Sequence, residues 1–353
     1  MPHAVLEPDG TLRGTSPMNA EQIIEALRLM LLSRAIDELA IKLQRLGQVG
    51  VYSPVHGQEA AVIGSAMALD PARDWMVPAS REQPAMLHHG LPLEKLLAIY
   101  MGRIEDGRIP EGVNLLPRQQ SIAAQLPHAV GLAWALKLRR LPGVALVYFG
   151  DGASSEGDFH EAANLAGVQR VPLVFLLLNN QWAISTPVSK QTATSDLSVR
   201  AAGYGFAGVA VDGDDLFAVY AATREAVERA RSGGGPTLIE ARTYRIGFHN
   251  TSDNPREYRD DGEVAAAAAH DPLERVGRYA TSAGLWSREK EAAVKAEIDA
   301  ELDAAYQKVA SLPRPGAAAI FEHVYATLPE RVRRQRDSLF PPPLAGEGQG
   351  GGL

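Results

Sequence analysis

Two short apolar runs near the middle of the chain each stop at a polar pair. Val144-Ala145-Leu146-Val147-Tyr148-Phe149 runs into Gly150-Asp151-Gly152, and Leu173-Val174-Phe175-Leu176-Leu177-Leu178 runs into Asn179-Asn180. Continuous apolar runs of this length, bounded by turn residues, predict strands buried on both faces. Residues 156–168, between them, carry a helical pattern. Two further strand candidates lie at 208–213 and 237–241, with a helix over 216–231 that places Phe217, Tyr220, Val227 and Ala230 on one side. Strand–helix alternation of this kind predicts an α/β fold: a parallel sheet with helices on both faces. In such sheets ligands bind beyond the carboxyl ends of the strands.

If the first two strands are parallel neighbours, Asp151 and Asn180 come to the same sheet edge. A carboxylate and an amide oxygen together suit a hard divalent cation such as Mg²⁺, whose octahedron is completed by phosphate and water. The missing ligands imply a diphosphate. Gly150 and Gly152 remove side chains where backbone must approach it, and a helix starting near Ser154 presents free N–H groups to an anion. Gly-Asp-Gly alone is an ordinary strand-to-turn sequence; its pairing with Asn179-Asn180 carries the signal. Ser155 stands where a dinucleotide fingerprint needs its third glycine, and no phosphate-binding Gly-x-x-x-x-Gly-Lys-Ser/Thr loop occurs.

Around this centre the chain reads as one domain. Residues 1–18, with Pro2, Pro8, Gly10, Gly14 and Pro17, form an extended arm. A long core-packing helix follows, capped by Asn19 with Gln22 three residues on and stopped at Gly47. Residues 19–335 are read as a single α/β domain with helical extensions, including a charged helix over about 287–312. The polar loops 102–120 and 247–263 are long enough to be functional. The Pro- and Gly-rich end, 336–353, reads as a disordered tail. Glu156 and His160 share a helix face but lack a third ligand, so a structural role is expected for them, and packing roles for His56, His128 and Trp134.

The chain has no cysteine, which excludes thiolate zinc sites, iron–sulfur clusters, disulfides and a cysteine nucleophile. A formal net charge of −7 argues against nucleic acid as a partner. No apolar stretch is long enough to span a membrane, and the N-terminal residues lack the apolar core of a signal peptide, so a cytoplasmic location is expected.

The central block has a family likeness. Residues 149–158, then His160-Glu161-Ala162, then Asn179-Asn180-Gln181-Trp182-Ala183-Ile184-Ser185-Thr186-Pro187 resemble the thiamine-diphosphate motif of the alpha subunits of 2-oxoacid dehydrogenase first components. Residues 47–52 and His56-Gly57-Gln58-Glu59-Ala60 are similar to that family's N-terminal region. Residues 89–93 and 110–117 are similar to its middle. Residues 243–253, with Tyr258-Arg259, are similar to its mobile active-site loop. The likeness spans about 20–335.

The resemblance implies a thiamine-diphosphate-binding fold that holds the diphosphate half of the coenzyme with Mg²⁺. By it, Asp151 and Asn180 ligate the metal through side chains and Trp182 through its backbone carbonyl. Gly150, Gly152 and Ala153 form the diphosphate cradle, the last two through N–H groups. Arg81 contacts the terminal phosphate and Ile122 supports the bent coenzyme. His249 lies near the reacting centre, with a role in acylating lipoamide. A beta subunit completes an α₂β₂ heterotetramer, and a lipoyl-bearing acyltransferase accepts the acyl group after a 2-oxo acid loses CO₂. For the substrate, residues 244–247, 251–253 and 180–185 lean to branched-chain 2-oxo acids; residues 89–93 and 110–117 lean to pyruvate, the alternative. Acetoin cleavage, a metal-dependent phosphohydrolase built on Asp151 and His160, and a non-catalytic scaffold stand further off. Ser80 replaces the family's usual tyrosine before the phosphate arginine. Leu178 stands where some relatives carry arginine. Asn250 and Asp260 occupy the positions of regulatory phosphoserines, which excludes control by phosphorylation there.

Overall fold

The structure, a computed structural model, describes residues 3–103, 106–322 and 324–340. Helix α1 (Ala20–Arg45) opens with the capping box anticipated from sequence. Asn19 Oδ1 accepts from the Gln22 N–H at 2.9 Å, and Gln22 Oε1 accepts from the Asn19 N–H at 3.0 Å. Two otherwise unpaired donors are thereby satisfied. Its inner face buries Ile23, Leu27, Met30, Ile36 and Leu43, and the chain leaves it at Gly47 with φ of +69°.

Among the described residues the strands, in chain order, are β1 (Trp75–Val77), β2 (Ala145–Gly150), β3 (Leu173–Asn179), the hairpin pair β4 (Trp182–Ala183) and β5 (Thr186–Pro187), β6 (Ala207–Asp212) and β7 (Thr237–Arg242). Five of them form one parallel sheet in the order β1-β2-β3-β7-β6, while β4 and β5 pair only with each other. All seven residues of β3 are buried. Because side chains alternate across a strand, Val174, Leu176 and Leu178 join the larger core on one face. Leu173, Phe175 and Leu177 join the smaller core on the other. Each such burial is worth about 1.5–3 kcal/mol.

Helices α2 (Glu59–Ala66) and α8 (Leu216–Arg231) pack with α1 over the first face. Helices α5 (Gln125–Leu138) and α6 (Gly157–Gln169) cover the second. The remaining helices are α3 (Gln83–His88), α4 (Leu93–Tyr100), α7 (Arg200–Gly203), α9 (Asp261–Ala268), α10 (Pro272–Ser282), α11 (Arg288–Ala310) and α12 (Glu330–Leu339). Residues 336–339, expected in the tail, instead end α12, which runs to Leu339. Residues 341–353 of that expectation lie outside the described residues.

The described part of the N-terminal arm docks on the sheet edge and turns back on itself, Leu6 bridging antiparallel to Leu12. The His3 N–H donates to Ala210 O, and the Asp212 N–H to His3 O. Asp215, fully buried, gathers it in. Its Oδ2 accepts from the Val5 and Leu6 N–H groups at 2.6 and 2.7 Å, while Oδ1 accepts from Phe217 and Ala218 at the start of α8. The loop 102–120 is likewise pinned at its far end: Met76 in β1 donates to Asn114 O and accepts from the Leu116 N–H.

Asp215→Ala removes four acceptor contacts at once and is expected to cost roughly 2–4 kcal/mol in urea unfolding, with the arm becoming accessible to protease. Asp214, beside it, has its carboxyl pushed up to about 8, first by burial and further by Asp212 and Glu59, against the Thr243 hydroxyl that hydrogen-bonds it. Its folded-state value lies above the ordinary 3.8, so the stability it lends is present at acid pH and is lost as pH rises toward 8. Asp214→Asn is expected to raise the melting temperature more at pH 8 than at pH 5; an equal change at both would contradict this.

Candidate active site

The register between β2 and β3 pairs Gly150 with Leu178. Asp151 and Asn180 therefore emerge from the same sheet edge, as the sequence required. They open into a cleft of about 610 Å³. The carboxyl ends of β1, β2, β3 and β7 all contribute walls, and the cleft is also lined by Arg81, Ile122, Gly150, Gly152, Ala153, Trp182 and His249. Every residue singled out for cofactor, metal or catalysis thus meets in one place. Ile122 is the most open of them, 63 % exposed.

Asp151 is 2 % exposed. Burial raises its carboxyl above the usual range, opposed by the Gln191 side chain, the Arg245 charge and the Asn180 N–H. Gln191 Nε2 donates to its Oδ2 at 2.8 Å, a neutral partner for a desolvated carboxylate. Asn180 Oδ1 accepts from the Trp182 N–H at 3.2 Å, and Asn180 Nδ2 donates to Gln58 Oε1 at 3.0 Å. The Trp182 carbonyl accepts from Arg245 Nη1 at 3.2 Å.

After β2 the chain makes a 3₁₀ turn, Gly152–Ser155, and α6 begins only at Gly157, later than the helix start expected near Ser154. The first bond of that turn runs from the Ser154 N–H to Asp151 O. The N–H groups of Gly152 and Ala153 precede it and have no acceptor within the turn. Arg200 clamps the turn from behind through Ser154 O and Oγ. Gly152 also has a reason within the protein: a Cβ there would sit 2.7 Å from Ala183 Cβ in the hairpin. At Gly150 a Cβ would meet only Leu178 O, at 4.0 Å, so the packing of the chain itself does not demand that glycine.

Arg81 is aimed by Glu82, whose Oε2 accepts from the Ala79 and Arg81 N–H groups. Its guanidinium donates to Pro54 O and His249 O, and lies 3.0 Å from His249 Nδ1. Arg245, fully buried, reaches the same Nδ1 at 3.2 Å and also donates to Ile184 O and Tyr258 Oη. Burial, then the neighbouring Arg245 charge, pushes Arg81 down to about 10. Two desolvated guanidiniums side by side suit an anion.

A guanidinium has only donors. His249 Nδ1 must therefore be the acceptor, which leaves the proton on Nε2. Burial, then Arg81 and Arg245, pushes the imidazole down to about 4, with Asp253 opposing. Asp253 also pins the loop, accepting from the His249 N–H at 2.7 Å and the Tyr258 hydroxyl at 2.6 Å. Arg259 ties it further through the carbonyls of Arg245 and Gly247.

Among the residues that line this site with no role assigned from sequence are Gln58 and Arg245. The available signal was a polar side chain heading α2, whose eight residues are all buried. His160 does not reach the cleft; its ring bonds the Tyr204 hydroxyl, which removes the Asp151–His160 pairing a phosphohydrolase needs. Glu156 is at the N-cap of α6. Among the described residues no group of three or more His, Cys, Asp or Glu side chains forms a metal cluster. A cation here would rely on Asp151 with amide and carbonyl oxygens.

The chain matches the family described as Dehydrogenase E1 component over residues 27–318. It is 40 % identical over 316 residues to the pyruvate dehydrogenase E1 component subunit alpha of Staphylococcus aureus, covering 89 % of this chain and 85 % of that one. It is 38 % identical over 335 residues to the protein of the same name from Staphylococcus epidermidis, covering 94 % and 90 %. The chain belongs to the E1 component family, among the alpha subunits of thiamine-diphosphate-dependent 2-oxoacid dehydrogenases. The donor set fits that coenzyme: paired buried guanidiniums and turn N–H groups for a diphosphate, and a desolvated carboxylate for its cation.

The tautomer assignment is open to direct measurement. Nitrogen-edited NMR titration is expected to find His249 neutral, protonated on Nε2, down to about pH 4. Because its folded-state value lies below the ordinary 6.5, stability is full above that pH and falls as pH drops toward 4. Arg245→Gln is expected to raise the His249 value by roughly one unit; no change would contradict the clamp.

Proposed function

We propose that this chain works with a beta subunit in an α₂β₂ assembly that decarboxylates a 2-oxo acid and passes the acyl group to the lipoyl group of an acyltransferase. Pyruvate is the proposed substrate, ahead of branched-chain 2-oxo acids. The convergence of Asp151, Asn180, Arg81, Arg245 and His249 on one cleft carries the general reading. The printed names of the relatives support pyruvate over the branched-chain preference read from the loop motifs. A cytoplasmic location goes with this proposal; among the described residues no helix is long and apolar enough to cross a membrane.

When bound, thiamine diphosphate supplies an electron sink for the carbon that loses CO₂. The residues of this chain bind and orient. Asp151, Asn180 and the Trp182 carbonyl hold Mg²⁺, while Arg81 and the Gly152 and Ala153 N–H groups hold the diphosphate. Ile122 gives an apolar wall. His249 offers a neutral Nε2–H toward the cleft, suited to donating a proton or hydrogen bond where negative charge develops during acylation of lipoamide. With Nδ1 held by two arginines, that proton is presented from a fixed ring.

Co-expression with a beta subunit of the same family, followed by a 2-oxo acid panel with an artificial electron acceptor, tests the reading. Pyruvate is expected to give the highest kcat/KM. A higher value for a branched-chain acid would reverse the substrate order, and no oxidation of any 2-oxo acid would end the proposal. Asp151→Ala is expected to abolish magnesium-dependent coenzyme binding by calorimetry. His249→Ala is expected to retain most of that binding while reductive acylation falls.

A further inference from the structure

Gln58 is fully buried, heads α2 and lines the cleft. The orientation of its amide follows from a backbone group whose polarity is fixed. The Trp182 N–H can only donate, so the Asn180 atom facing it at 3.2 Å is Oδ1. Asn180 Nδ2 then faces Gln58 at 3.0 Å, so the Gln58 atom there is the acceptor Oε1. By elimination the Gln58 amide nitrogen points away from Asn180. Buried, it has no hydrogen-bond partner in the protein. An unpaired buried donor is destabilising, and native chains rarely keep one without an occupant that supplies the acceptor.

The surroundings say what that occupant is. Arg81 and Arg245 put two buried positive charges on the cleft wall. Gln58 is tied to Asn180, which leaves β3 at the same sheet edge where Asp151 and the N–H groups of the 3₁₀ turn emerge. An oxygen-rich anion satisfies every unpaired donor in this corner together. We propose that Gln58 is a coenzyme-contacting residue: its Nε2 donates a hydrogen bond to an oxygen of the bound diphosphate, in an orientation set by Trp182 through Asn180. This rests on the thiamine-diphosphate reading above and adds a residue to that site.

The test uses the assembled α₂β₂ protein and three probes: thiamine diphosphate with Mg²⁺, inorganic diphosphate with Mg²⁺, and thiamine. Gln58→Met keeps the side-chain size and removes both amide groups. Gln58→Glu keeps an acceptor toward Asn180 and replaces the donor with a carboxylate oxygen. Calorimetric affinity for thiamine diphosphate is expected to fall roughly 10-fold to 100-fold in Gln58→Met, as for a lost hydrogen bond to a charged group, and further in Gln58→Glu. Inorganic diphosphate is expected to show the same losses and thiamine none. The melting temperature of the coenzyme-free Gln58→Met assembly is expected to change little, because the unpaired Gln58 donor goes while Asn180 Nδ2 loses its acceptor.

A lower coenzyme-free melting temperature with diphosphate affinity within twofold of wild type overturns the proposal in favour of a packing role. Equal losses for thiamine and diphosphate overturn it as well, since the contact then lies elsewhere on the coenzyme. Wild-type assembly that binds none of the three probes overturns the thiamine-diphosphate reading itself, and this inference with it.

Discussion

The pairing of Gly150 with Leu178 across β2 and β3 is the constraint from which the site follows. Parallel strands carry their side chains in register toward the same end, so a residue placed just past each carboxyl terminus has a fixed neighbour. A slip of one residue would turn the alternating faces of β3 inside out, moving Phe175 and Leu177 from one core to the other. The two cores therefore hold the register, and the register holds Asp151 beside Asn180. Stability and function here rest on the same apolar contacts.

Charge is distributed so that the protein alone leaves the cleft incomplete. Arg81 and Arg245 are buried close together, and each is pushed below its ordinary value chiefly by burial. Asp151, a buried carboxylate lining the same cleft, is pushed in the opposite sense by the same desolvation. Buried charges of both signs that do not pair directly are costly. A ligand that combines an anion with a cation relieves both at once. A magnesium diphosphate has that composition, and the family to which the chain belongs uses a diphosphate coenzyme. His249 sits between the two guanidiniums and takes its tautomer from them, so the two arginines and the imidazole are one electrostatic unit.

The long apolar strands, the α1 capping box and helices α6, α8 and α11 were legible because they are local patterns, whereas α2 and α5 were not read from sequence. Asp151 and Asn180 were legible because each terminates such a strand. β1 escaped notice, since three residues, Trp75–Val77, are too few to show a period and the strand is completed by Leu115 from a distant loop. Gln58 appeared within a family-like motif but had no assigned role. Its role depends on Asn180, a partner separated by 122 positions, and no spacing rule links them. Arg245 was hidden for a related reason: a guanidinium that binds Trp182, Ile184, Tyr258 and His249 is defined by four tertiary contacts and by nothing in its own sequence neighbourhood. Residues 336–339, expected in the tail, belong to α12, whose charged Glu330–Leu339 sequence buries only Val332 and so carries little apolar periodicity.

Backbone strain gathers in the same region. Ile184 adopts φ of +54° and Gln181 φ of +72°, while Ala123, across the cleft, adopts φ of +66°. A β-branched residue in the left-handed region is a genuine outlier, worth roughly 1–3 kcal/mol of strain that the surroundings must offset. The compensation is visible. Arg245 Nη2 donates to Ile184 O at 2.7 Å, and the Val188 N–H donates to Gln181 O at 3.0 Å. The tight hairpin turns the Trp182 carbonyl toward Arg245 and brings Ala183 against Gly152. Relaxing the hairpin to ordinary dihedrals would disturb both contacts, so the strain is what keeps the Trp182 carbonyl within the cation corner. Arg245 thus does two things with one group: it supplies charge to the anion site and holds in place the strained loop that forms the site's wall.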